Sequence, residues 1–152
     1  MAYQSTKTYG HELGLSAVFR QWRAKSHCAL LHGYALSFKL VFESDTLDEN
    51  GWVMDFGALK PIKARLEELF DHKVAVAGDD PDLAMFQAIG KMNLADVIMF
   101  PDGVGCEKFA RYVAGDVITW LQKEGHAPRV RLVSCECREH GANSAVFLPE
   151  RY

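Results

Sequence analysis

From Tyr34 the chain reads YALSFKLVFE, and its apolar and polar positions alternate with period two. Leu36, Phe38, Leu40 and Phe42 share one face, while Ser37, Lys39 and Glu43 share the other. Successive side chains of a strand point to opposite faces, so this pattern predicts a half-buried antiparallel strand. Leu13, Leu15, Ala17 and Phe19 make a weaker alternation upstream. Asp48, Glu49, Asn50 and Gly51 supply turn chemistry, and Trp52 to Phe56 is short and apolar. The period then changes. Leu59, Ile62, Leu66 and Leu69 recur at intervals of three and four, the single apolar stripe of an amphipathic helix. Pro61 fits only a first turn, so this helix starts near residues 57–60 and ends near Phe70. A second helix runs from about Glu107 to Lys123, with Phe109, Val113, Val117, Trp120 and Leu121 inward. Gly125 and Pro128 stop it. Two closing strands follow, Val130 to Glu136 and Ser144 to Leu148. Within residues 77–101, DDPDLAMFQAIG reads as a short capped helix and VIMF as a short strand, and the rest reads as irregular.

This order predicts an α+β domain, an antiparallel four-stranded sheet with two main helices on one face. The 152 residues contain no repeat or linker, so residues 1–152 read as a single domain. A sheet this small has open edges, and edges left unpaired invite aggregation. Homo-oligomerisation is therefore expected on structural grounds. The formal net charge of −3 gives no global field for nucleic acid or membrane. The N-terminus has no basic-then-apolar leader pattern and no run reaches transmembrane length, so a cytoplasmic location is expected. In that compartment Cys28, Cys106, Cys135 and Cys137 are expected to be free thiols. They form no CxxC pair, so no structural zinc knuckle is expected.

The candidate chemistry lies in four stretches. Cys28-Ala-Leu-Leu-His32-Gly33-Tyr34 opens the best strand, and Gly51-Trp-Val-Met-Asp55-Phe56 leads to Leu59-Lys60. Phe70-Asp71-His72-Lys73 stands at a helix end, and Cys135-Glu136-Cys137 lies in a closing strand. Each alone has a plain structural explanation: a buried thiol, a turn, a helix stop, a surface carboxylate. In this order the chain resembles the 6-pyruvoyl/6-carboxy-tetrahydropterin synthase family. That family's pattern runs F-x-A-A-H, C-x-x-L-H-G-H, G-[MW]-[VI]-x-D-F-x-x-L-K, L-D-H, a glutamate opening the second helix, and E-T in a closing strand. Here CALLHGY, GWVMDFGALK, FDHK, GCEKFA and CEC follow one another from about Leu15 to Phe147.

The resemblance implies the tunnelling fold, in which three subunits close a barrel, so a homotrimer or homohexamer. It implies a lyase acting on 7,8-dihydroneopterin triphosphate, with no organic cofactor. The compact C-x-x-L-H-G spacing is nearer the 6-carboxy branch, which leads to 7-deazaguanines such as queuosine precursors. It implies Cys28 as the catalytic thiol and Asp71 with His72 as the pair that tunes and relays its proton. Glu136 matches the residue that anchors the pterin, whose adjacent N–H and amino groups suit a forked carboxylate. Glu107 is a second substrate-binding candidate.

The chain departs from the pattern at the zinc that the family holds with three histidines. His32 keeps one position, Tyr34 replaces another, and the third falls on Phe19 or, with a shifted alignment, on Arg23. Two outcomes stay open. Either His32 joins His27 with Cys28 or His140 in a rebuilt zinc site, or the metal is gone. In the second case Arg20, Arg23 and Lys25 supply positive charge near substrate phosphates, with Arg23 the first candidate. A non-catalytic pterin- or purine-binding homologue that kept Glu136 is the rival reading.

Overall fold

The computed structural model describes residues 1–150. Strand β1 (Tyr3–Tyr9) and strand β2 (Leu15–Phe19) lie end to end along the long strand β3 (His32–Ser44). Both pair with β3 antiparallel, from Tyr3↔Ser44 to Tyr9↔Phe38 and from Leu15↔Leu36 to Phe19↔His32. One 3₁₀ turn, His11–Leu13, separates them and ends on Gly14 at φ 67°, a conformation glycine adopts without steric cost. Helix α1 (Lys60–Phe70) is followed by β4 (Lys73–Ala77), α2 (Leu83–Lys91) and β5 (Asp96–Phe100). Helix α3 (Cys106–Lys123) and the antiparallel pair β6 (Arg131–His140) and β7 (Asn143–Phe147) complete the fold.

The expectation of a four-stranded antiparallel sheet is corrected. The described residues form one seven-stranded mixed sheet, ordered β5-β4-β2-β3-β6-β7, with β1 also on β3. Strand β4 runs parallel to β2, and β5 runs parallel to β4 across the α2 crossover. The short helix and the VIMF strand expected within residues 77–101 are present as α2 and β5, and the unforeseen strand β4 before them completes a βαβ unit. Its strands, KVAVA and DVIMF, are five residues each and show no polar alternation. Parallel strands covered on both faces read as short apolar runs, which periodicity does not separate from other apolar segments. Strand β1, YQSTKTY, is mostly exposed and has almost no apolar residue to alternate.

The period-two face of β3 is fully buried at Leu36, Phe38, Leu40 and Phe42. It meets Ile62, Leu66, Leu69 and Phe70 of α1 and Phe109, Val113, Val117 and Leu121 of α3 in one core cluster. At its centre Phe70 stacks on Phe38 at 5.0 Å and on Phe100 at 5.7 Å, and the edge of Phe109 meets Phe70 at 5.1 Å. Offset and edge-to-face pairs of this kind add about 0.5–1.5 kcal/mol beyond area burial. Phe100 is the last residue of β5, so the βαβ unit is tied into the main core.

The GWVMDFGALK stretch is explained by local structure. Asp48 Oδ1 accepts the Asn50 and Trp52 N–H groups, each at 2.9 Å, closing the turn before it. Val53 and Met54 are buried, and Asp55 Oδ1 accepts the Gly57 N–H at 2.7 Å. That bond caps the 3₁₀ turn Phe56–Leu59, which feeds α1 with Pro61 in its first turn.

Candidate functional site

Phe19 ends β2 and His32 begins β3, and the two are register partners. The loop between them carries Cys28 on a 3₁₀ turn, His27–Ala29, whose Ser26 Oγ accepts the Cys28 N–H at 3.3 Å. Gln21 holds this loop from two sides. Its backbone N–H donates to the Cys28 carbonyl at 2.9 Å, and its Nε2 donates to the Val104 carbonyl at 2.9 Å. The second bond joins the loop to the segment that starts α3.

Cys28, His32 and Tyr34 from this region, Cys106 and Glu107 from the start of α3, and Glu139 from the end of β6 line one cavity of about 190 Å³. Phe19 forms part of its wall. His32 Nδ1 lies 2.7 Å from the Leu30 carbonyl, which can only accept. Nδ1 is therefore the donor in that bond, and Nε2 is left unengaged by this contact. Burial raises the Tyr34 phenol above its ordinary pKa, and the nearby Glu139, Cys28 and Cys106 act in the same direction. The Cys137 thiol bonds to Cys106, which lowers the Cys106 pKa against the opposing effect of burial. The same bond, with burial, keeps Cys137 protonated far above the ordinary thiol range. Cys135 is pushed up to about 12 by burial alone in the main. All four cysteines are free thiols, as expected.

The three positions that match the family's zinc ligands do converge. Phe19 and His32 ring centroids are 5.6 Å apart, His32 and Tyr34 5.5 Å, and Phe19 and Tyr34 6.2 Å. Of the two candidates for the first position, the Phe19 ring is the one beside His32 and Tyr34, while Arg23 pairs with Asp79. A phenyl ring has no donor atom, and a phenol held neutral is a poor one, so this set does not fit zinc. Among the described residues no group of three or more His, Cys, Asp or Glu side chains is placed to hold a metal ion. His27 shares the Cys28 turn but does not line the cavity, and His140 instead faces the Tyr34 ring at 5.9 Å.

Other candidates lie elsewhere. Asp71 caps the end of α1, and His72 follows at φ 56° with its Nδ1 2.6 Å from Asp71 Oδ1. This dyad is formed, but the His72 side chain is 87% exposed and lines a different hollow with Ser16, Ala35 and Lys73. Glu136 points away from the core face occupied by Cys135 and Cys137. Its carboxylate is held below the usual range, first by the Ser144 hydroxyl and then by Arg138, whose Nη2 donates at 2.6 Å. Ser144 also borders the Cys28 cavity. Arg23 does not enter the cavity. It pairs with Asp79 at 2.8 Å and lies over the Trp22 ring at 4.0 Å.

Sequence reasoning missed Glu139, Cys106 and Gln21. A signal for Glu139 existed, since Cys135, Cys137 and Glu139 share one parity along the strand. Ending that strand at Glu136 hid it.

Comparison with known proteins agrees with this geometry. The family described as 6-pyruvoyl tetrahydropterin synthase matches residues 11–150. A curated relative, 6-carboxy-5,6,7,8-tetrahydropterin synthase of Aquifex aeolicus, is 29% identical over 99% of this chain and 100% of its own length. Among solved structures, an uncharacterized protein of Wolinella succinogenes superposes with a TM-score of 0.85 at 19% identity, covering 99% of each chain. The 6-pyruvoyl tetrahydropterin synthase of Plasmodium vivax superposes with a TM-score of 0.68 at 13% identity over 97% of each chain. These likenesses show the mixed α+β fold of such synthases. No helix among the described residues is long and apolar enough to cross a membrane.

Proposed function

The chain belongs to the 6-pyruvoyl tetrahydropterin synthase family, and from that premise we propose that it is a carbon–oxygen lyase acting on 7,8-dihydroneopterin triphosphate. The products are 6-carboxy-5,6,7,8-tetrahydropterin, triphosphate and acetaldehyde: one water is taken up, the C–O bond to triphosphate and the bond between the first and second side-chain carbons break, and the two outer carbons leave as the aldehyde. The carboxy product lies on the route to 7-deazaguanines such as queuosine. The observation that carries this reading is the convergence of Cys28, His32, Glu107 and Glu139 on one cavity, with Glu136 beside it through Ser144.

The division of labour follows from the geometry. A carboxylate offers about four acceptor sites, and Arg138 and Ser144 occupy part of the Glu136 set while keeping it ionised. The remaining sites take the two adjacent N–H donors of the pterin edge. Glu107 and Glu139 accept from side-chain hydroxyls. Cys28 moves a proton at the side-chain carbon as the triphosphate departs, and in the neutral imidazole Nε2 of His32 is an acceptor within the same cavity. No step is routed through zinc, because the residues at the family's ligand positions do not suit it. Asp71 and His72 act as a proton relay only if another copy of the chain presents them to the Cys28 cavity. This requirement supports a homotrimer or homohexamer.

The test is incubation of the purified protein with 7,8-dihydroneopterin triphosphate and identification of the product by mass. The expected result is 6-carboxy-5,6,7,8-tetrahydropterin, with turnover abolished in Cys28→Ala and pterin binding nearly intact. Pterin binding without turnover in the native chain would favour the second reading, a binding homologue that kept Glu136. The loss of two metal-ligand positions is the observation on its side.

A further inference from the structure

Arg20 directly follows Phe19 of the cavity wall, and its guanidinium is spent on the βαβ unit. Nε donates to Asp80 Oδ2 at 2.9 Å and Nη2 to Asp80 Oδ1 at 2.6 Å, a forked pair. Nη2 also reaches Asp82 Oδ2 at 2.7 Å, and the guanidinium lies 5.7 Å from the Phe86 ring centroid of α2. The Asp80 side chain is 1% exposed, whereas that of Asp82 is 50% exposed. Asp80 is itself held, since Oδ1 accepts the Asp82 N–H at 2.9 Å. A second, exposed strap ties the same two loops, with Trp22 Nε1 and Arg23 Nη1 both donating to Asp79. The residue after Arg20 is Gln21, whose N–H holds the Cys28 carbonyl.

We propose that Arg20 and Asp80 are a positioning pair, and that the β4–α2–β5 unit is the buttress that fixes the Cys28 loop against the cavity. The chain of contacts is continuous from the βαβ turn through Asp80, Arg20 and Gln21 to Cys28. The buried half of the clamp does the holding, because a forked ion pair shielded from water keeps its geometry better than an exposed one. On this reading Arg20 and Arg23 secure the loop. This inference rests on the reading of Cys28 as the group that acts in the cavity.

The experiment compares Asp80→Asn, Arg20→Lys and Asp82→Asn in the full chain, without ligand and then with 7,8-dihydroneopterin triphosphate. Two ligand-free readouts are the amide exchange of Gln21 and the iodoacetamide alkylation rate of Cys28, followed by peptide mass. Asp80→Asn is expected to speed Gln21 exchange about tenfold and Cys28 alkylation several-fold, with Phe38 and Leu40 amides unchanged. Asp82→Asn is expected to change either by less than about threefold. With substrate, kcat of Asp80→Asn falls about tenfold while KM stays within about twofold, and Arg20→Lys, which keeps one ionic contact of the fork, loses less of the rate. If Asp80→Asn does not fold, Arg20→Lys against Asp82→Asn carries the comparison. Equal exchange and alkylation in the buried-pair and Asp82 variants would overturn the clamp. Loosening of the loop in a chain that never turns over the pterin would uphold the clamp and sink the enzymatic reading instead.

Discussion

At the scale of single residues, the site is a case of positions kept and atoms exchanged. Phe19 and Tyr34 stand around His32 with ring centroids 5.6 and 5.5 Å from it, and on the proposed correspondence with the family's metal ligands neither side chain supplies a donor suited to zinc. The carboxylates are better provided for. Glu136 is oriented by Arg138 and Ser144, and its depressed pKa means that the ionised form persists as pH falls below the ordinary 4.5. A group with a depressed folded pKa keeps its charge-dependent interactions above that pKa and loses them as pH falls through it. Pterin binding measured by calorimetry is therefore expected to hold down to pH values near the ordinary carboxylate range and to fail only below it. Glu136→Gln should weaken that binding by about 1.5–3 kcal/mol, the range for a hydrogen bond to a charged group. Glu139→Gln should lower the rate more than the affinity, because Glu139 faces the cavity of Cys28. Unchanged binding in Glu136→Gln would remove the anchor role. Of these residues, Glu136, Cys28 and His32 were legible in the sequence because they sit in spaced motifs. Glu139 belongs to no such motif and joins the site only when β6 and α3 are folded together, and Cys106, although inside GCEKFA, gains its contact with Cys137 the same way.

At the scale of elements, legibility followed periodicity. The alternation at Leu36, Phe38, Leu40 and Phe42 and the stripe at Ile62, Leu66 and Leu69 mark the apolar faces of their elements, although on β3 the opposite face is buried too at Ser37 and Glu43 and open at Lys39. Strand β1 is too polar, and β4 too short and evenly apolar, to carry such a contrast, whereas the VIMF run of β5 could be read as a strand. Arg20 illustrates the cost of missing them. Beside a loop read in isolation it looks like a free cation, and only the βαβ unit shows that Asp80 holds it. The same unit is bound to the core by Phe100, whose ring meets Phe109 at 5.0 Å. Phe109 also meets Phe19 edge-on at 5.2 Å, so one ring links the core, the βαβ unit and the cavity wall. Phe109→Ala is expected to cost about 3–5 kcal/mol in denaturant unfolding, the range for emptying a buried aromatic site. A loss below about 1 kcal/mol would show that the surrounding phenyl rings collapse freely into the space.

At the scale of the whole molecule, three features of the single chain support the proposed assembly. The cavity of about 190 Å³ is smaller than the roughly 300–1,000 Å³ usual for small-molecule pockets. The Asp71–His72 dyad is fully formed, yet it opens onto a separate hollow. Strands β1, β5 and β7 each have a single partner strand among the described residues, and Val146 and Leu148 beside the β7 edge are largely exposed. Open edges, a half-sized cavity and a detached dyad have one common remedy, which is a ring of copies that pairs edges and brings the dyad of one copy to the thiol of the next. Light scattering is expected to give a trimer or a multiple of it, and a folded monomer at low concentration would contradict this. The sharper measurement is complementation. Cys28→Ala and His72→Ala are each expected to be nearly inactive alone. Unfolded together in equal amounts and reassembled, they form mixed rings in which some cavities receive an intact thiol from one copy and an intact dyad from another. Random assembly leaves about one quarter of the sites complete, so about a quarter of the native rate should return. If both groups act from the same chain, every site in the mixture remains broken and no activity appears, which would overturn the sharing of one site between two copies.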